Sequence, residues 1–157
     1  MRKRIIKDKQ KIDPSLHENW LDLEDIAEVE FTSEDPAYPV ENALIPGNPL
    51  GWQAAQPGEQ TIRLLFSKPQ QIKRIWLYFE EPHIERTQQY VLRWSPDHGQ
   101  TFNEIVRQQW NFSPQGSKEQ SENIQTDISG VTVIELIINP DISGGDIRAS
   151  LAQFRVA

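Results

Sequence analysis

Apolar residues in this chain recur mostly at every second position, in short runs cut off by turn residues. That period of two is the signature of strands with one buried face. Over residues 61–66, Ile62, Leu64 and Phe66 share a face, and Ser67-Lys68-Pro69-Gln70-Gln71 is expected to turn the chain. Over 72–79, Ile75, Leu77 and Phe79 lie opposite Trp76 and Tyr78. Tyr90, Leu92 and Trp94 are in phase over 88–95, and Pro96-Asp97-His98-Gly99 closes that strand with a turn in which glycine supplies a positive φ. A return strand follows over 102–110. Residues 131–139 alternate again through Ile134, Leu136 and Ile138, and after the loop 140–146 a last strand is expected over 149–156. The helical period is confined to residues 15–26, through Leu16, Trp20, Leu23 and Ile26, and to a turn at 39–44. With no βαβ rhythm, the pattern predicts an all-β protein, an antiparallel β-sandwich with a short helical or irregular N-terminal extension. Residues 1–26 are read as a basic tail and extension, and 27–157 as the sandwich domain.

At 157 residues the chain can bury a core without help from metals or disulfides, and it has no cysteine for a disulfide or a cysteine-ligated metal site. Its first eleven residues carry six basic groups against Asp8, a balance of 6 − 1 = +5. The whole chain is −7, so the remainder carries −7 − 5 = −12. A body that acidic repels nucleic-acid phosphate and anionic membrane, so neither is an expected partner. The start has only Ile5-Ile6 as an apolar pair, which predicts no secretion signal and no bilayer span, and hence a cytoplasmic protein.

From Ala27 onward, the order of features resembles the discoidin or coagulation-factor type C family of galactose-binding-like, jelly-roll sandwiches. Val29 to Ser33 is similar to the family's opening strand, Tyr38-Pro39-Val40-Glu41-Asn42-Ala43-Leu44 to its small turn, and Gly51-Trp52 to its tryptophan position. Tyr90-Val91-Leu92-Arg93-Trp94-Ser95-Pro96-Asp97-His98-Gly99-Gln100-Thr101-Phe102 resembles the family hairpin, with Phe102 in the aromatic slot. The resemblance covers residues 27–157. It implies a binding domain whose ligand is a glycan or, in relatives that work inside cells, a protein. Many members hold a structural calcium with an Asp in the turn and a Glu in the last strand. Those positions look like Ile45-Pro46-Gly47 and Gln153, which offer no carboxylate. Calcium prefers hard, anionic oxygen ligands, so it is expected to be absent or loosely held, and no other cofactor is expected.

Catalytic chemistry finds little to work with. His17, His83 and His98 fall in three separate segments, with no His-Glu-x-x-His pairing. Glu80-Glu81-Pro82-His83-Ile84-Glu85-Arg86 reads as a charged connecting loop, and Gly144-Gly145-Asp146 has no strand–loop–helix context for a phosphate cradle. The chain is therefore expected to be a non-enzymatic binding module, carbohydrate-binding through loops at one end of the sandwich. The alternative is an intracellular protein-interaction module or assembly subunit.

A sugar site needs an aromatic face and planar hydrogen-bonding groups. Three loops offer them: residues 34–50 with Tyr38 and Asn48, residues 80–87 with His83, Glu85 and Arg86, and the segment from Trp110 and Phe112 through Gly116. Tyr38, Asn48, His83, Glu85, Arg86 and Trp110 are the candidate ligand-binding residues. For Trp110 and Phe112 the competing expectation is core packing. For Arg86 and Arg93 it is ion pairing within an acidic body. Trp20 is expected to staple the N-terminal segment onto the sandwich.

Overall fold

Two strands of 21 residues organise the molecule. The computed structural model describes residues 2–3 and 19–157. In chain order the elements are α1 (Leu23–Ile26), β1 (Ala27–Phe31), α2 (Glu41–Leu44), β2 (Trp52–Pro57), β3 (Gln60–Glu80), β4 (Arg86–Ser95), β5 (Asn103–Phe112), β6 (Glu119–Asn139), β7 (Arg148–Leu151) and β8 (Gln153–Val156). The long strands β3 and β6 pair antiparallel from Gln60↔Ile138 to Glu80↔Glu119. Their first-paired halves carry β1 on one side and β4 then β5 on the other, in the order β1-β3-β6-β4-β5. The far half of β3 takes β8 instead, through Ile75↔Val156 to Tyr78↔Gln153, while β2 and β7 form a separate two-stranded sheet. A strand that changes neighbours partway along is how a sandwich turns a corner between its layers.

The corner falls in the segment whose composition predicts a turn. Residues 67–71 do not reverse the chain; β3 runs through them, and the register with β6 shifts between Leu65 and Gln70 and again up to Arg74. Pro69 has no N–H to give a ladder, and here it lies in the stretch that leaves the ladder. The bulges also change which side chains face inward. Ile62, Leu64 and Phe66 are buried before the corner and Ile75, Leu77 and Phe79 after it, a switch from even to odd positions.

The structure departs from the sequence pattern in two further places. The last strand divides at Ala152, whose N–H donates to the Tyr78 carbonyl, so that β7 serves β2 and β8 serves β3. Residues 119–130 are strand, the first half of β6, although only Gln120 there is buried. Of the helical reading over 15–26, α1 keeps Leu23–Ile26, and residues 15–18 lie outside the described residues. Trp20 stacks on Trp76 at 6.5 Å between ring centroids, with the Arg74 guanidinium 5.3 Å from the Trp20 ring. Leu21 N–H bonds the Val156 carbonyl and Leu23 is buried in the core, so the segment is packed down as expected. Among the described residues no helix is long and apolar enough to cross a membrane.

The β4–β5 hairpin shows how closely its turn chemistry is specified. Asp97 accepts from Thr101 through both backbone N–H and hydroxyl, and from the Ser95 hydroxyl at 2.7 Å. His98 and Gly99 take positive φ, 60° and 91°. The Thr101 and Ser95 bonds favour the ionised carboxylate and hold its pKa at about 2, below the ordinary 3.8. Because the folded value is the depressed one, the turn's contribution is complete above pH 3.8 and is lost as pH falls through about 2. NMR titration of the Asp97 carboxyl carbon is expected to show a midpoint near 2; a midpoint near 3.8 would show the turn bonds absent in solution.

Candidate functional site

The loop after β1 is laid against β2 by its own backbone. Asp35 N–H donates to the Gln53 carbonyl, Gln53 N–H to the Tyr38 carbonyl, and Tyr38 N–H back to the Asp35 carbonyl. Ser33 adds two ties, receiving the Ala55 N–H on its hydroxyl and the Trp52 indole N–H on its carbonyl. Tyr38 is therefore held half-buried at the rim of the small β2–β7 sheet.

Opposite it stands the loop between β3 and β4. Glu81 organises that loop, its carboxylate accepting from the backbone N–H groups of His83 and Ile84 and from Arg86 Nε at 2.8 Å. The two loops and β7 enclose a groove made of two adjoining clefts. One, of about 280 Å³, is lined by Tyr38, Leu50, Trp52 and Leu151. The other, of about 410 Å³, is lined by His83, Ile84, Asp146 and Arg148. Gln53, Glu80, Pro82 and Ser150 line both, which makes them one continuous surface.

Chemically, the groove combines an aromatic wall with amide, imidazole, hydroxyl and guanidinium groups. Leu50 and Ile84, both well exposed, provide apolar lips. Two of the nearby carboxylates already serve the framework. Glu81 pairs with Arg86, and Asp35 receives the Ala37 N–H and faces Arg148 at 4.0 Å. Among the described residues no group of three or more His, Asp or Glu side chains is placed to hold a metal ion.

The six candidate residues separate. Tyr38 lines one cleft of the groove and His83 the other. Glu85 is exposed on the same loop as His83 but does not line either cleft. Asn48 shapes its own turn, donating to Asn42 Oδ1 at 2.7 Å and accepting from the Leu50 N–H. Arg86 is a framework residue. Its side chain is 1% exposed, its Nη1 donates to the Pro140 carbonyl at 2.6 Å and to Gln88 Oε1, and its guanidinium covers the Phe112 ring at 4.7 Å. Trp110 sits on β5 against the core with its indole N–H buried and unpaired among the described residues, and Phe112 is fully buried.

Gln53, Glu80, Arg148 and Ser150 complete the groove, and none of them stands out as a binding residue in the sequence. Glu80 alone lies in a segment with a visible pattern, and that pattern is one of a charged connector.

Arg93 is likewise ion-paired, in a row that crosses the outer face of the large sheet. Glu30, Arg63, Glu135, Arg93 and Glu104 are successive cross-strand partners of alternating charge. Glu135, with no exposed side-chain surface, accepts from Arg63 at 2.6 Å and from Arg93 Nε at 2.7 Å, and Arg93 rests on Phe102.

Comparison with known proteins agrees with this architecture. Residues 21–134 match the family described as the XRCC1 N terminal domain. No curated protein matches the chain. Among solved structures, the module CpGH89CBM32-5 from Clostridium perfringens, in complex with GalNAc-β-1,3-galactose, has a TM-score of 0.62 at 18% identity, covering 88% of this chain and 99% of that one. The family 32 carbohydrate-binding module of C. perfringens NanJ, in complex with galactose, has a TM-score of 0.61 at 13% identity, covering 83% and 92%. A chitosan-binding module from a chitosanase/glucanase of Paenibacillus sp. IK-5 has a TM-score of 0.59 at 16% identity, covering 87% and 98%. At these identities the likeness is one of fold, and the fold is the galactose-binding-like β-sandwich.

Proposed function

From the premise that this chain belongs to the XRCC1 N-terminal domain family, we propose that it is a non-enzymatic binding module that takes a short carbohydrate in the groove beside Tyr38. The observation that carries the reading is the groove's make-up. A half-buried aromatic residue, held by backbone bonds, lines the same groove as planar polar groups on three other segments. A sugar ring presents a C–H face that stacks on an aromatic and an edge of hydroxyls that pair with amide, imidazole and guanidinium groups. Gln53, His83 and Arg148 supply those three chemistries. The solved sandwiches that bind galactose, GalNAc-β-1,3-galactose and chitosan share the scaffold, which adds weight to a glycan over other small ligands.

The test is a glycan array on the full chain, followed by titration calorimetry with whatever sugar is captured. Tyr38→Ala and Arg148→Ala are each expected to weaken that sugar about tenfold, the order of one stacking or charge-assisted contact, with the melting temperature held within about 2 °C. Unchanged affinity in both variants removes the groove as the site. A blank array from folded protein transfers the reading to a protein-interaction module, for which the charge-alternating outer face around Glu135 is the surface to map.

A further inference from the structure

Arg155 lies in a four-residue strand between Phe154 and Val156, both in the core, and is itself 3% exposed. An arginine taken that far out of water needs oxygen acceptors around its donors. Nη1 donates at 2.7 Å to the carbonyl of Ala43, 112 residues away in the chain, and at 3.0 Å to the carbonyl of Phe154. Nη2 reaches Gln153 Oε1 at 3.3 Å. Ala43 belongs to α2, whose last turn contains no basic residue, and the final carbonyls of a helix lack intrahelical donors. Among the described residues the guanidinium therefore gathers oxygen atoms from two places, the α2 loop and the closing strand.

Those are the places from which the discoidin-type resemblance draws calcium ligands, at positions matching Ile45-Pro46-Gly47 and Gln153. The donor set does not suit calcium. Among the described residues it holds no carboxylate, and a fixed positive charge lies within hydrogen-bonding distance of the oxygens a metal would need. We infer that the Arg155 guanidinium is this chain's built-in replacement for the metal, a covalently attached cation that ties the α2 loop to β8. The loop so tied continues through Asn42 and Asn48 to Leu50 on the lip of the groove, so its closure is independent of calcium supply.

The experiment is thermal unfolding of the full chain in EDTA and in about 1 mM calcium. The expected result is coincident curves, since even a site of about 10 µM affinity would raise the midpoint by roughly 5–10 °C. Arg155→Met, which keeps most of the apolar stem, is expected to lower the midpoint by about 5 °C. In that variant amide exchange should speed up by tenfold or more in residues 41–50, while the β4–β6 ladder is spared. Pairing Arg155→Met with Gln153→Glu frees the oxygens and adds a carboxylate, and the double variant is expected to be stabilised by calcium and not by magnesium. Calcium-dependent melting of the parent chain overturns the inference by itself. Exchange that speeds up uniformly in Arg155→Met, or a double variant indifferent to calcium, also overturns it.

Discussion

Arg86→Ala is expected to lower the free energy of unfolding by about 3–5 kcal/mol, the range seen when one partner of a buried ion pair is removed. The arginine side chain is 1% exposed and Glu81 is 13% exposed, so water screens their contact weakly and cannot easily hydrate the survivor. Truncation also strands the Pro140 carbonyl and Gln88 Oε1, and it opens a void over Phe112. Each stranded group adds to the cost, because a buried acceptor left without its donor loses its hydration with nothing in return. For a domain of this size the melting temperature should fall by roughly 6–20 °C. Arg86→Lys keeps the charge but loses the fork that serves Glu81, Gln88 and Pro140 together, so a large part of the loss should remain. The measurement is chemical denaturation of parent and variants with a shared slope. A change under about 1 kcal/mol in Arg86→Ala would mean that the loop is open to solvent and the pair is worth no more than a surface one. The variant also has a functional reading. Glu81, released from Arg86, loses its anchor while still holding the His83 and Ile84 amides, so groove affinity should decline together with stability.

Arg86 also marks a place where the sequence holds more than its local charge pattern suggests. It groups with His83 and Glu85 because the three are neighbours in one charged loop. Yet Arg86, Gln88, Tyr90 and Leu92 follow a single period of two, and all four are buried. Extending the strand phase two residues upstream of Gln88 turns Arg86 inward. The apolar faces at Ile62, Leu64 and Phe66, and at Ile75, Leu77 and Phe79, are legible because one buried face forces alternation. Residues 119–130 are not, because their inward positions, among them Glu122, Ile124, Thr126 and Ile128, are only half-covered and so tolerate polar side chains. The Pro69 segment carries turn composition, and local chemistry does not separate a turn from a bulge between long strands. The groove is partly legible for a different reason. Tyr38 and His83 stand out one segment at a time, but Gln53, Arg148 and Ser150 matter only because β2 and β7 pair, and that pairing is a long-range event without a local mark.

Gly51→Ala is expected to cost about 3 kcal/mol or more, through two effects that act on one atom. Gly51 takes φ +70°, in the left-handed region where an alanine is strained. A Cβ built there would lie 2.7 Å from the Leu151 carbonyl oxygen and 2.9 Å from Ala152 Cα, and both neighbours are backbone that cannot rotate aside. Relief would require β2 and β7 to separate at the Trp52↔Leu151 pair that begins their ladder. That pair lies beside the point where Ala152 bonds the Tyr78 carbonyl and the chain crosses from β7 to β8, so the displacement would reach both small strands. It would also reach the groove, since Trp52, Leu151 and Ala152 line the Tyr38 cleft. Gly47 separates the two effects, because it has φ +97° with nothing within 4 Å of the position a Cβ would take. Gly47→Ala should therefore show the backbone strain alone, about 1 kcal/mol. Urea unfolding of the two variants side by side measures the difference. Equal losses would mean that in solution the Leu151 carbonyl oxygen stands farther than 2.7 Å from the place a Gly51 Cβ would take. A larger loss at Gly51, with sugar binding weakened in the fraction that remains folded, would show that close backbone packing at that ladder sets the floor of the groove.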